Sequence, residues 1–172
     1  MNVSMLRWPC TDDWIRCKVL ALNTVGKTAG EYVSEEWKRK ILRAEHSPIR
    51  TLMFTIKMEI PYYVSTHFVR HKFGVEHYVT SQRNDRQDKY DRRAARQDAE
   101  VSHIMDINAA ELIAMARKRL CKNADPETQK VMREIVKQVI DLCPEFEGML
   151  VPDCVYRGGC KEFEPCRRAD NG

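Results

Sequence analysis

The cleanest pattern in the chain is Phe54-Thr55-Ile56-Lys57-Met58-Glu59-Ile60, where apolar and polar residues alternate without a slip. Successive side chains of a strand point to opposite faces, so this stretch predicts a strand with one face packed inward and one in polar surroundings. Pro61 stops it and suits the first position of a helix, which reads from Tyr62 to about Lys72. On such a helix His67, Arg70 and His71 share a face, being three to four residues apart. Upstream, Pro9 and Thr11-Asp12-Asp13 mark a helix start, while the apolar residues 14–22 fit either helix or strand. A polar helix is predicted from Ser34 to about Glu45, with Trp37, Ile41 and Leu42 on one side.

Residues 83–98 are almost wholly polar and read as a solvated loop or a frayed helix. A long helix is predicted from about Asp106 to Lys122, with Leu112, Ile113, Ala116 and Leu120 as its apolar stripe. Asp125 then caps and Pro126 opens another helix, with Val131, Ile135 and Val139 four residues apart. Pro144 follows its end, and the tail from 152 to 172 reads as irregular and cysteine-containing. The chain shows no internal repeat and no βαβ rhythm. The elements add up to one α+β domain over residues 1–172: a small, mostly antiparallel sheet with several long helices.

Composition adds bounds. The 172 residues are 43% hydrophobic and 31% charged, the balance of a globular domain with its own core. No apolar run approaches the roughly 20 residues that span a bilayer, and Met1 to Arg7 lacks the apolar core of a secretory signal. A cytoplasmic protein with no membrane partner is expected. Lys plus Arg is 29 and Asp plus Glu is 25, a net +4 that favours anionic ligands without requiring nucleic acid. Seven cysteines are an odd count and read as reduced thiols. Five residues separate Cys154 from Cys160 and Cys160 from Cys166, wider than the roughly two to four between paired zinc ligands, so no metal is expected.

One motif is set aside on physical grounds. Ala21 to Thr28 fits a relaxed phosphate-loop pattern, but Leu22 and Val25 resist the inward turn of backbone N–H groups that glycine permits. The absence of Gly-x-Gly-x-x-Gly leaves a Rossmann dinucleotide fold unsupported. The stronger signal is Arg70-His71-Lys72 followed by Ser81-Gln82-Arg83. Burying unpaired charge is expensive, so this cluster either decorates a surface or meets an anion.

The segment His46-Ser47-Pro48-Ile49, Phe54-Thr55-Ile56, Ile60-Pro61, Val64, His67, Arg70-His71-Lys72 and Ser81-Gln82-Arg83 resembles the flavin-dependent thymidylate synthases. A second block, Asn108, Leu112, Arg119 and Asn123-Ala124, resembles a helix of the same family. The two blocks cover residues 45–83 and 106–125 in the family's order.

The resemblance implies a homotetramer with sites between subunits, using FAD, NADPH, methylenetetrahydrofolate and dUMP to make dTMP without a protein nucleophile. It places Ser47, Arg70, His71, Lys72 and Asn108 at FAD. It places His67, Arg70, Ser81, Gln82, Arg83, Arg96 and Arg119 at dUMP, with Arg119 as the residue that polarises the uracil. Bidentate arginines suit the phosphates of both molecules.

Departures from the pattern are specific. Lys72 stands where the family has Arg, eight residues (73–80) rather than seven precede Ser81, and Val79 replaces a Glu, with Glu76 and His77 nearby. Ala110 replaces the Arg beside Asn108, and His67 stands in place of a Gln. A relative that hydroxymethylates a pyrimidine nucleotide is the nearest alternative. A nucleic-acid or phosphate-binding module is the alternative of a different class. It rests on the basic residues of 83–96, whose three aspartates and thin aromatic content argue against it.

Overall fold

The computed structural model describes residues 1–81, 91 and 93–166. The alternating stretch forms strand β2 (Met53–Pro61), whose inward residues Phe54, Ile56, Met58 and Ile60 are fully buried. It lies antiparallel between β1 (Asn2–Arg7) and β4 (Glu100–Asn108), and β3 (Val75–Val79) pairs with the far edge of β4. The sheet is antiparallel throughout, in the order β1-β2-β4-β3.

Helices cover its apolar face. These are α1 (Thr11–Asn23), α2 (Glu35–Arg43), α4 (Ala109–Arg119) and α5 (Pro126–Leu142). Trp14 from α1, Leu112 and Met115 from α4, and Val131, Ile135 and Val139 from α5 all enter one core with the inward strand residues. Phe146 meets the edge of Phe54 at 5.3 Å between ring centroids. The expected α+β architecture is the one observed.

The helix starts follow local chemistry. Ser34 and Asp125 cap α2 and α5 by accepting N–H bonds from Trp37 and Thr128, and Pro126 occupies the first turn, where no N–H is missed. The ambiguous stretch 14–22 is helical within α1. That helix runs through Asn23, so the first three residues of the rejected phosphate-loop motif are helix rather than loop.

Two expectations are corrected. The helix after Pro61, α3, spans Tyr62–Phe68, so Arg70, His71 and Lys72 lie on the turn beyond it and helical spacing does not join them to His67. The helix expected from Asp106 begins at Ala109, because Asp106 to Asn108 complete β4. Strands β1, β3 and β4 are additions to the sequence reading. In β4 an inward histidine and an outward isoleucine (His103, Ile104) blur the alternation that marks β2.

The tail carries a short helix, α6 (Asp153–Arg157). It is held to the body by Arg117, which pairs with Glu45 and stacks 3.5 Å from the Tyr156 ring centroid. Asn123 Nδ2–H donates to Glu164 O at 2.8 Å.

Candidate functional site

The turn after α3, strand β3 and helix α4 meet at the end of β4 that carries Asn108. Gly74 makes this junction possible. Its φ of 75° is left-handed, and an added Cβ would collide with the Asn108 side-chain amide. Its carbonyl accepts from Asn108 N–H at 2.8 Å. Asn108 ends β4 and caps α4, its Oδ1 accepting from Glu111 N–H at 2.9 Å.

His71 is the hub. Its Nδ1 lies 2.7 Å from Glu111 Oε1, and its Nε2 accepts from Arg119 Nε–H at 3.2 Å. A carboxylate only accepts and a guanidinium only donates, which assigns the proton to Nδ1 and the lone pair to Nε2. The two sequence blocks, 48 residues apart at this contact, therefore close on each other.

Arg119 is half-buried, and its pKa is pulled below the usual value by burial first and by the neighbouring Arg70 guanidinium second. Among the described residues neither Arg70 nor Arg119 forms a salt bridge. Two guanidiniums held near one another without a carboxylate between them form an anion-seeking arrangement.

A second chain of imidazoles supports the turn from below. His77 Nε2–H donates to the His71 carbonyl at 2.9 Å, and His77 Nδ1 lies 2.9 Å from His103 Nε2. With its one neutral-state proton on Nε2, His77 accepts from His103 at Nδ1. His103 is completely buried against the edge of Phe68, and its Nδ1 has no partner. Burial, reinforced by His77, lowers its pKa to about 4, so the pair is neutral on the His103 side at ordinary pH.

The remaining candidates are placed as follows. Lys72 is exposed on the same turn as Arg70 and His71. His67 is half-buried in the last turn of α3. Ser47 is exposed at the start of the 3-10 turn Ser47–Thr51, whose continuation is tied to α4 by Ala109 N–H donating to Leu52 O at 2.8 Å. Ser81 follows β3 and is exposed. Gln82 and Arg83 lie outside the described residues. Arg96 is exposed, with Nε and Nη2 each donating to Asp98 at 2.8 Å.

Glu111 and His103 join the cluster without having been marked by motif spacing. One signal was available for Glu111: Asn108-x-x-Glu111 is a cap followed by an acidic third residue, a helix-start signature.

A separate cavity of about 790 Å³ opens between the end of α4, α5 and the tail, with Cys121, Cys154, Cys160 and Cys166 in its lining. Among the described residues no group of three His, Cys, Asp or Glu side chains is arranged to hold a metal ion, and no helix is long and apolar enough to cross a membrane.

Residues 92–145, less than half of the chain, match the family model described as thymidylate synthase complementing protein. That stretch contains β4, α4, α5, Asn108 and Arg119, and it supports flavin-dependent thymidylate synthase-type function at the level of the family. No curated protein matches the chain.

Proposed function

We propose that this chain is a flavin-dependent thymidylate synthase that methylates dUMP to dTMP in the cytoplasm, with methylenetetrahydrofolate as the one-carbon source and NADPH as the reductant. One observation carries the reading: Arg119 donates to His71 of the Arg70–Lys72 turn at 3.2 Å. The family match covers only the Arg119 side of that contact, so the meeting of the two blocks is separate support.

The donor set suits the group. The turn offers a planar guanidinium, an imidazole and a flexible ammonium within three residues. Glu111 meets the imidazole, but among the described residues Arg70 and Lys72 form no salt bridge, which leaves both cations for a phosphate-bearing cofactor. Arg70, His71 and Lys72, with Ser47 and Asn108, hold FAD. His67, Arg70, Ser81, Gln82, Arg83, Arg96 and Arg119 hold dUMP. Bound FAD supplies hydride transfer to the pyrimidine, and the protein supplies binding, orientation and charge. Arg119 sits where partial burial strengthens its pull on a uracil carbonyl, stabilising negative charge on the ring.

The sites form between subunits of a homotetramer. Phe73 and Tyr78, 85% and 61% exposed beside the turn, give that interface its apolar contacts. Purified protein given FAD, dUMP, NADPH and methylenetetrahydrofolate is expected to form dTMP. Formation of the hydroxymethyl nucleotide instead would redirect the reading to the related activity, and no nucleotide product would reject it.

A further inference from the structure

We propose that Glu111 is a positioning residue that fixes the tautomer of His71 and, through it, the orientation of the Arg119 guanidinium. The functional consequence rests on the reading of Arg119 as a nucleotide contact.

Helix α4 departs from a local rule. A glutamate three residues after an N-cap ordinarily turns back to accept the cap's own N–H. Here the Asn108 N–H already donates to Gly74 O at 2.8 Å, so the Glu111 carboxylate is left for another partner. It reaches outward to His71 Nδ1 at 2.7 Å, with both side chains mostly shielded, at 12% and 17% exposure.

His71 then bridges two turns of one helix from outside. Glu111 sits at the start of α4 and Arg119 at its end, about 12 Å apart along the axis. With the proton held on Nδ1, Nε2 presents a lone pair to Arg119 Nε–H. That bond uses the donor at the branch of the guanidinium and sets the plane of the fork. Among the described residues the two terminal nitrogens make no other hydrogen bond and are left to take an anion. An imidazole without such an acceptor ordinarily prefers its proton on Nε2. That tautomer would set N–H against N–H and turn the arginine away. The ordering is the one seen around metal-bound histidines, where a carboxylate fixes which nitrogen is free.

The test uses the 172-residue chain as purified, labelled with 15N at histidine, without added ligand. The His71 ring is expected to show a proton-bearing Nδ1 and a lone-pair Nε2. Glu111→Ala is expected to reverse the two, and Glu111→Gln to preserve them, because its amide carbonyl still accepts. A proton on Nε2 in the wild-type protein, which needs no variant to fold, overturns the proposal. So does an unchanged tautomer in Glu111→Ala.

A dUMP titration measures the consequence. Glu111→Ala is expected to weaken binding roughly ten-fold, and to have no further effect in an Arg119→Ala background. Equal losses in both backgrounds would contradict action through Arg119. A wild-type protein with the expected tautomer and no affinity for dUMP would reject the nucleotide reading while leaving the tautomer assignment standing.

Discussion

Strands β2 and β4 run side by side over nine paired residues and turn matching rows toward the same core, yet the rows differ at one place. The inward row of β2 is Phe54, Ile56, Met58 and Ile60. That of β4 is Val101, His103, Met105 and Ile107, so Met58 pairs with a histidine. An apolar row asks only for close packing. A buried imidazole asks for a hydrogen-bond partner, and the one it finds is His77 on β3, leading to the turn that carries Arg70, His71 and Lys72. The polar exception in the core thus points at the rim where charge is concentrated.

The largest effect should come from the apolar row. Phe54→Ala removes a fully buried ring in contact with Phe146, and is expected to cost about 3–5 kcal/mol of stability in urea unfolding. At the rim, Arg119→Ala is expected to lower the rate of dTMP formation roughly 100- to 1000-fold while the melting temperature stays close to that of the wild type. A rate unchanged in a folded variant would remove Arg119 from the site.

His103 joins the two regions through pH. Its folded pKa of about 4 lies below the 6.5 of an ordinary histidine, so between these values the unfolded chain binds more protons than the folded one. Stability is therefore retained above about pH 6.5 and falls as the pH drops toward 4, by about 3 kcal/mol from this group. His103→Leu is expected to lose that part of the acid slope, measured by urea unfolding at pH 7 and pH 4. Equal slopes in the two proteins would show that His103 does not titrate as its burial demands. The smallest effect is at the hinge. Gly74→Ala forces a side chain into a left-handed backbone against Asn108, and is expected to cost about 1–3 kcal/mol in the same assay.

How much could be read from residues alone follows the same division. Strand β2 was legible because its alternation is complete, and α5 because Asp125, Pro126 and the four-residue apolar spacing agree. Strand β4 was not, because His103 stands at an inward position where the alternation calls for an apolar residue. The early end of α3 was not either, because Val69 and Arg70 are compatible with a continuing helix. Arg70, His71 and Lys72 could be named as a cationic cluster and Arg119 from the family resemblance, but not their convergence. The bonds that join His71 to Glu111 and Arg119, and His77 to His103, link residues 40, 48 and 26 positions apart, and only the folded sheet sets those distances.

On the proposed reading, the Arg70–Lys72 turn and Arg119 together form the seat of a flavin beside a pyrimidine nucleotide. It is tested most directly by the visible absorbance spectrum of the purified protein after incubation with FAD and removal of the excess, followed by titration with dUMP. Retained flavin bands that shift on adding dUMP are expected, with no such shift in Arg119→Ala. A colourless protein, or retained flavin that is indifferent to dUMP, would contradict it.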